Sequence, residues 1–305
     1  MTEPGDIAPL EAHRRFLWAL VYRLTGSGPD AEDVVQETFA RALERPPADT
    51  TLPWRPWLTR VAVNLGRDLL RRRRRTAYPG PWLPDAVETE EPVGLEDPPD
   101  ARYDLLESMS YAFLVALEAL SPPQRAVLLL RDVFDYSVAE TAAALGLSEA
   151  NVKTTHHRAR RAMSAYDGDR TPGPRTNVAE ATRRALESFA TAVAQQDVGA
   201  VEALLARSVR ALSDGGGEFS AARVPIDGPA KVALAFVKLT RLGPAVARWA
   251  VRGVNGLPAL IIEYADPPPG HAPRILLGVS VDSAGRIAGV YSVLASAKLS
   301  ALRPL

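Results

Sequence analysis

The stretch YSVAETAAALGLSEANVKTTHHRARRAM, residues 136–163, decides the fold of the first half of the chain. Ser137 and Glu140 have the spacing of a capping box, which opens a short helix. Gly146 suits the tight turn that ends this helix, and Ser148 stands where it would cap the next one. The pattern is typical of a helix-turn-helix, whose second helix lies in the major groove of DNA.

The second of these helices has a polar and basic surface. Its early residues are placed to meet base edges, and its late arginines are placed to hold phosphates. The residues that we predict to contact DNA are Ser148, Glu149, Asn151, Lys153, Thr154, His157, Arg158, Arg160 and Arg161. The alternative is a surface helical hairpin with a basic face, but two caps, a glycine turn and a terminal basic cluster together favour DNA binding.

Upstream, residues 9–75 have the periodicity of helices. Pro29 suits a first helical position, and the acids that follow it lie in the first turn, where the helix dipole favours them. A later helix, predicted for residues 57–75, ends in five consecutive arginines. Residues 51–75 hold eight arginines and one acid, whereas residues 85–107 hold nine acids and one arginine. Such alternation is expected when one segment faces a polyanion and its neighbour does not.

The remaining chain divides at two segments rich in proline and charge. We predict helical domains over residues 1–77 and 105–168, a flexible linker over 78–104, a second linker over 169–176 and a further domain over 177–305. The last domain should be α+β, with helices near 177–196, 197–207 and 228–242 and an antiparallel sheet. Its strands are predicted at 259–264, 274–281 and 286–293, the last two joined by a hairpin at 282–285.

The composition excludes several classes of site. The chain has 305 residues, no net charge and no cysteine, which excludes disulfides, thiolate metal sites and a cysteine nucleophile. Its four histidines show no metal-ligand spacing, and no apolar run approaches 18 residues. We therefore expect a soluble cytoplasmic protein with no cofactor, no metal, no catalytic site and no membrane contact.

Two separated blocks resemble one known family. DAEDVVQETFARAL (30–43) with PWLTRVAVNLGRDLLRRRRR (56–75), and LSPPQRAVLLLRDVFDYSVAETAAALGLSEANVKTTHHRARRAM (120–163), are similar to regions 2 and 4 of extracytoplasmic-function sigma factors of the sigma-70 class. Their order and spacing also match. The resemblance implies a factor that joins the core of RNA polymerase and directs transcription from promoters read at −10 and −35 elements.

The resemblance assigns further residues. It implies that the following residues contact the polymerase core, at the clamp of its β′ subunit: Asp30, Glu32, Asp33, Gln36, Glu37 and Phe39. It implies that the −10 element is bound by Arg60, Asn64, Arg67, Asp68, Arg71, Arg72, Arg73, Arg74 and Arg75. The helix-turn-helix would read the −35 element beside the β flap of polymerase. The alternative is a regulator of the helix-turn-helix type that needs no polymerase and has a ligand-sensing C-terminal domain.

The C-terminal domain resembles the SnoaL-like branch of the NTF2-like fold, a cone that encloses an apolar pocket. DGGGE (214–218) is similar to a DGGGK motif of sigma factors with such a tail, and WLPDA (82–86) to a WLPEP-like element of their linker. The resemblance implies regulation in cis through Trp82, Leu83, Pro84, Asp214, Gly215, Gly216, Gly217 and Glu218. We rank docking of the domain on the linker first, a small-molecule ligand in the cone second, and catalysis by Asp214 and Glu218 last.

Overall fold

The computed structural model describes residues 8–49, 51–89, 101–170 and 175–305. These residues form two compact units. The first takes residues from 8–77, 101–108 and 116–164, and the second takes residues from 78–89, 109–115 and 165–305. Each unit is therefore built from stretches that are separated in the sequence.

The first unit begins with region 2 of the expected pattern. Its helices are α1 (Ala8–Glu11), α2 (Arg14–Thr25), α3 (Gly28–Glu44) and α4 (Trp54–Arg73). Gly26 ends α2 with a left-handed φ of 71°, a conformation that glycine adopts without steric cost. The Ser27 hydroxyl then caps α3 by accepting the Asp30 N–H. Apolar residues of α2, α3 and α4 close the core: Leu17, Leu20, Leu24, Val35 and Leu58 are fully buried.

The helix-turn-helix is confirmed in the second half of this unit. Helix α5 (Tyr111–Ala116), which lies almost wholly in the second unit, precedes α6 (Pro122–Leu128). Helix α6 continues as a π-helical turn (Leu129–Val133) before α7 (Val138–Leu145) and α8 (Glu149–Ala162), and α9 (Ser164–Asp169) again lies almost wholly in the second unit. Ser137 and Glu140 form the expected capping box, Gly146 has a φ of 63°, and Ser148 caps α8. Helix α5 is short, because 3₁₀ turns flank it on both sides.

The second unit carries helices on one face of a sheet. Helices α10 (Arg175–Ala194), α11 (Val198–Leu204) and α12 (Pro229–Leu242) accompany β1 (Leu205–Asp214), β2 (Ile226–Asp227), β3 (Val246–Val254), β4 (Leu257–Tyr264), β5 (Arg274–Val281) and β6 (Ile287–Val293). The strand order is β2-β1-β6-β5-β4-β3. The three predicted strands, β4, β5 and β6, pair antiparallel as expected, whereas β1 runs parallel to β6, so the whole sheet is mixed.

Three strands of this sheet, β1, β2 and β3, were not predicted. Strand β1 lies where the second helix was expected to end, and the helix stops at Leu204 instead of residue 207. Its sequence LARSVRALSD is rich in good helix formers, but pairing with β6 overrides that preference. Strand β3 is an edge strand whose first four residues are all exposed, so it lacks the alternation that marks a half-buried strand.

The two faces of the sheet have different covers. Helices α10, α11 and α12 pack on one face through a cluster that includes Leu186, Phe189 and Val232. The opposite face is covered by a second cluster, which joins Leu83 and Ala86 to Tyr111, Leu299 and Leu302. Alternation along the strands separates the clusters, since neighbouring side chains of a strand point to opposite faces.

Residues 78–89 correct the expectation of a flexible linker. Leu83 and Ala86 are fully buried in the second cluster, and Pro84 is also buried. The prediction rested on proline and charge content, which indicates that a segment cannot build its own core. This segment instead packs its apolar side chains against the apolar face of the sheet. Residues 90–100 of the predicted linker and the second linker at 171–174 lie outside the described residues.

Candidate nucleic-acid interface and linker contact

Helix α8 presents the residues expected to read the −35 element. The structure leaves all nine of them exposed: Ser148, Glu149, Asn151, Lys153, Thr154, His157, Arg158, Arg160 and Arg161. Val152 and Ala159, on the opposite side of the helix, are fully buried. The helix is therefore anchored through a narrow apolar stripe, and its polar side is open to solvent in this unit.

A buried aspartate fixes the orientation of α8. Asp132, which is 1% exposed, accepts two hydrogen bonds from Arg160, at 3.0 Å from Nε and 2.6 Å from Nη2, and one from His156 at 2.9 Å. Burial alone would raise the pKa of Asp132, but the bonds from His156 and Arg160 outweigh it and lower the pKa. Arg160 was expected to clamp phosphate; its guanidinium instead holds the helix-turn-helix together. His156 is likewise bound to Asp132.

Helix α4 carries the residues expected at the −10 element. Arg60, Asn64 and Asp68 are exposed, whereas Arg67 is half-buried, and burial lowers its pKa. Asp68 forms an ion pair of 2.7 Å with Arg71, one turn later. The face therefore carries a mixed charge pattern before the arginine run begins.

The five arginines of the run divide into two groups. Arg71, Arg72 and Arg75 are exposed, and of these Arg71 pairs with Asp68. Arg73 donates to the Thr25 carbonyl at 2.6 Å and to Glu118 at 2.9 Å, and Arg74 donates to the Leu120 carbonyl at 2.5 Å. In this conformation Arg73 and Arg74 bind other parts of the first unit, and the expectation that all five arginines follow phosphates stays a prediction.

Regions 2 and 4 pack together within the first unit. The Thr59 and Tyr136 hydroxyls lie 3.0 Å apart, and the ring of Phe16 meets Phe134 edge-on at 5.3 Å. Arg125, 2% exposed, donates to the carbonyls of Leu24 and Leu117 at 3.0 and 2.8 Å. Helices α4 and α7 therefore lie side by side. The surfaces expected to read the −10 and −35 elements thus belong to one compact unit.

Helix α3 presents the acids expected to meet polymerase. Asp33, Gln36 and Glu37 are exposed, and Glu32 is half-buried and pairs with Arg14 at 2.8 Å. Asp30 is also half-buried, and burial raises its pKa. Phe39 was expected on the same surface but is 6% exposed, with the Arg14 guanidinium 5.2 Å from its ring centre. Phe39 is a core residue because the helix turns it towards α2.

The linker is fastened to the sheet domain at Asp214. This side chain, at the end of β1, is fully buried. Its carboxylate accepts the Tyr78 hydroxyl at 2.6 Å and the Leu83 N–H at 2.7 Å. It also accepts the Lys298 ammonium at 2.6 Å and the Gly216 N–H at 2.9 Å. One carboxylate thereby binds both the linker and Lys298, near the C-terminal end of the chain. We call residues 78–89 together with Asp214 and Lys298 the clasp.

Lys298 was missed by sequence reasoning. Its ammonium also donates to the Leu83 carbonyl and lies 4.2 Å from the ring centre of Trp82 and 5.0 Å from that of Tyr78. Such cation–π geometry stabilises a desolvated ammonium. A lone lysine in the segment ASAKLSAL carries no local pattern, so no signal in the sequence marks it.

The glycine motif shapes the clasp. Gly216 and Gly217 have φ angles of 62° and 77°, and a Cβ atom on Gly216 would lie 2.8 Å from the Cβ of Ala295. A Cβ atom on Gly217 would lie 3.0 Å from a ring carbon of Pro79, in the linker. The motif therefore serves both a turn that needs positive φ and a close approach of the linker. Gly215 is buried between them and Asp214.

Glu218 does not meet the linker. Its carboxylate accepts the Ser296 N–H at 3.0 Å and the Ser296 hydroxyl at 2.7 Å, and so caps the 3₁₀ turn that contains Lys298. The expected contact of Glu218 with the linker was wrong, because the cation of the clasp comes from Lys298. Both acids considered for catalysis, Asp214 and Glu218, are thus engaged in hydrogen bonds that hold the structure.

The end of the linker extends the edge of the sheet. Thr89 N–H donates to the Gly253 carbonyl at 2.9 Å, and Asn255 N–H donates to the Val87 carbonyl at 2.8 Å. Glu88 accepts hydrogen bonds from Arg252 at 2.9 Å and from Arg303 at 2.6 Å. Burial alone would raise the pKa of Glu88, but these arginines outweigh it and lower the pKa. The linker therefore pairs as a short strand with the end of β3.

Comparison with known proteins identifies the family. The model of sigma-70 region 2 matches residues 10–76, and that of sigma-70, region 4, matches residues 110–163. The ECF RNA polymerase sigma factor SigJ of Mycobacterium tuberculosis is 36% identical over 249 residues, which cover 79% of this chain and 75% of SigJ. The chain belongs to the extracytoplasmic-function sigma factors.

Two further comparisons place this sigma factor. SigG of Mycobacterium tuberculosis is 43% identical over 176 residues, which cover 51% of this sigma factor and 47% of SigG. The crystal structure of SigJ superposes with a TM-score of 0.73 at 26% identity, over 97% of this sigma factor and 99% of the SigJ chain. The match spans the sheet domain, so the expected SnoaL-like C-terminal domain is confirmed. Like its family, this sigma factor acts with RNA polymerase core and promoter DNA.

In the part of the chain that the structure describes, no helix of this sigma factor combines the length and the apolar character needed to cross a bilayer.

Proposed function

We propose that this sigma factor directs core RNA polymerase to promoters with −10 and −35 elements and that its C-terminal domain controls this activity through the clasp. The exposed acids of α3 dock on the polymerase clamp. Helix α4 opens and reads the −10 element, and α8 reads the −35 element. The support for these roles is the exposure of the three surfaces together with the family's match to both regions.

The contacts between α4 and region 4 make polymerase necessary for promoter binding. Arg73 and Arg74 cannot hold DNA phosphates while they donate to Glu118 and to the Thr25 and Leu120 carbonyls. The positions −10 and −35 lie about 25 base pairs apart, which is more than two turns of B-DNA at about 10.5 base pairs per turn. Docking on polymerase separates regions 2 and 4 and releases these arginines to the promoter.

One observation carries the regulatory part: Asp214, fully buried in the sheet domain, holds Tyr78 and Leu83 of the linker. The linker connects regions 2 and 4 along the chain. A closed clasp removes its freedom and so restricts the separation that both promoter elements require. Opening the clasp changes initiation without altering any residue that reads DNA.

Run-off transcription with purified core polymerase tests this proposal. Full-length protein is compared with Asp214→Asn, with a chain truncated near residue 175, and with Asp227→Asn as the control. Asp227 is an exposed acid of the same domain whose hydrogen bonds go to Arg210. We expect Asn at position 214 and the truncation to change transcript yield in the same direction, while the control behaves as the original protein. Equal yields from all four proteins would refute control through the clasp.

The core-independent regulator is the competing function. Footprinting on the gene's own upstream region, with and without core polymerase, separates the two. Protection that requires core supports the sigma function. Protection by the protein alone, with no promoter-specific transcript when core is added, would favour the regulator.

A further inference from the structure

Tyr111 inserts its ring into the sheet face opposite the helices. The residue opens α5 and is 5% exposed. Its ring stacks on that of Tyr291, with centroids 5.8 Å apart and planes 21° from parallel. Gly278 of β5 makes room for the ring, since a Cβ atom there would lie 3.4 Å from a carbon of Tyr111. The sheet thus holds a slot of the size and shape of one phenol ring.

The slot is built by the sheet domain and filled by a residue from outside its sequence. Its walls come from the end of β3, the turn after it, and strands β4, β5 and β6. Tyr111 lies more than fifty residues before α10, where the domain begins in sequence. The cavity that remains beside the ring measures about 10 Å³, roughly the space for a single water molecule. Without Tyr111, the domain would present an open pocket.

The walls define which chemistry fits. They are uncharged throughout the described lining, in which Asn255, Ser280 and Tyr291 carry the polar side chains beside Tyr111 itself. The hydroxyls of Ser280 and Tyr291 lie 3.2 Å apart within it. Burial raises the pKa of Tyr291, so its phenol keeps its proton and stays uncharged near neutral pH. Apolar walls with a few convergent hydroxyls are typical of sites for small neutral ligands.

We propose that this slot binds a small, uncharged compound of the phenol class and that Tyr111 is its built-in competitor. A side chain tethered to the same molecule competes at an effective concentration on the order of millimolar. Free ligand must exceed that competition, so the affinity of the original protein is lower than that of the empty slot. Occupation by the ligand expels Tyr111 and frees residues 109–115 from the sheet.

The slot shares a wall with the clasp. Asn255 lines the slot, and its side chain accepts the Val87 N–H at 2.8 Å and donates to the Asp85 carbonyl at 3.3 Å. A ligand that moves Asn255 therefore loosens the linker. This consequence for transcription rests on the proposed function, whereas the binding itself does not.

Calorimetric titration of the full-length protein with p-cresol, the analogue of a tyrosine side chain, tests the binding. Tyr111→Ala empties the slot and should bind p-cresol at least tenfold more tightly than the original protein. Tyr111→Phe keeps the ring in place and should bind like the original protein. The matched control is Tyr264→Ala, which removes a partly buried tyrosine of β4 from outside the slot and should not gain affinity. A folded Tyr111→Ala with no gain in affinity would overturn the proposal.

Hydrogen exchange on the original protein provides a test that does not depend on any variant folding. Saturating p-cresol should accelerate amide exchange in residues 109–115 at least fivefold, while α10 amides exchange as before. Binding of p-cresol without any change in residues 109–115 would overturn the role of Tyr111 as competitor. Because neither readout involves polymerase, failure here is distinguishable from failure of the proposed function.

Discussion

Replacing Lys298 by methionine should open the clasp. Methionine keeps most of the length and the apolar stem of lysine but removes the ammonium. The Asp214 carboxylate then remains fully buried with the Tyr78 hydroxyl and two backbone N–H groups as donors, but without its cation. A buried carboxylate without its counter-charge is strongly disfavoured, so the linker should detach and let water reach Asp214.

The magnitude follows from burial. Removing one partner of a buried ion pair costs about 3–5 kcal/mol. The Lys298 and Asp214 side chains are 10% and 0% exposed, so this pair is of the buried kind. The three remaining donors favour the lower end of that range, about 3 kcal/mol, and loss of the contact with Trp82 adds to it. Since each 1.4 kcal/mol is a tenfold change in an equilibrium constant, opening should become roughly 100-fold more frequent.

Amide exchange at Leu83 reports this opening directly, because its N–H donates to Asp214 at 2.7 Å. Lys298→Met should accelerate exchange there roughly 100-fold, and Lys231→Met, an exposed lysine on α12, should leave it unchanged. Adding Asp214→Asn to Lys298→Met should recover part of the loss, since a neutral amide needs no counter-charge. Acceleration below about fivefold, or equal acceleration in the control, would refute the reasoning.

Three other outcomes follow from the same structure. Gly216→Ala should lower the melting temperature by several degrees in calorimetry, because its Cβ would meet Ala295 at 2.8 Å, whereas Gly168→Ala, in open space, should not. The pKa of Glu88 is lowered in the folded protein, so its contribution is complete above the ordinary glutamate pKa of about 4.3 and is lost as pH falls through the lower folded value. Thr89 amide exchange should therefore accelerate below about pH 4, and Glu88→Gln should remove that dependence. Arg75→Ala should weaken promoter binding by the holoenzyme and reduce its salt slope by about one, without changing the promoter chosen; a changed promoter preference would contradict a phosphate role.

The helix-turn-helix was predictable because its signals are local. Ser137, Glu140, Gly146 and Ser148 each act on backbone groups within one turn, so their spacing alone indicates where both helices begin and end. Pro29 in the first turn of α3 is a signal of the same kind. The hairpin between β5 and β6 also follows from local chemistry, with Gly285 at a φ of 76°.

The missed features depend on residues far apart in the sequence. Asp214 and Lys298 are separated by 84 residues, and Leu83 lies 131 residues before Asp214. Strand β1 forms its longer ladder with β6, a parallel partner from the end of the domain, and pairs at two residues with β2. The arginine run looked uniform, yet Arg73 and Arg74 are distinguished by carbonyls that the tertiary fold brings to them. No period or composition in the sequence encodes such pairings.

The second unit has a consequence for how such genes evolve. Its sheet domain is completed by residues 78–89 and 109–115, which the gene encodes between and within the regions that read DNA. Recombination that exchanged residues 165–305 alone would leave Leu83 and Tyr111 facing a sheet that had not been selected to receive them. The tail is therefore not a cassette that a sigma factor can gain or replace in one event. Residues 78–89 and 109–115 should therefore change together with the sheet domain when related sequences are compared.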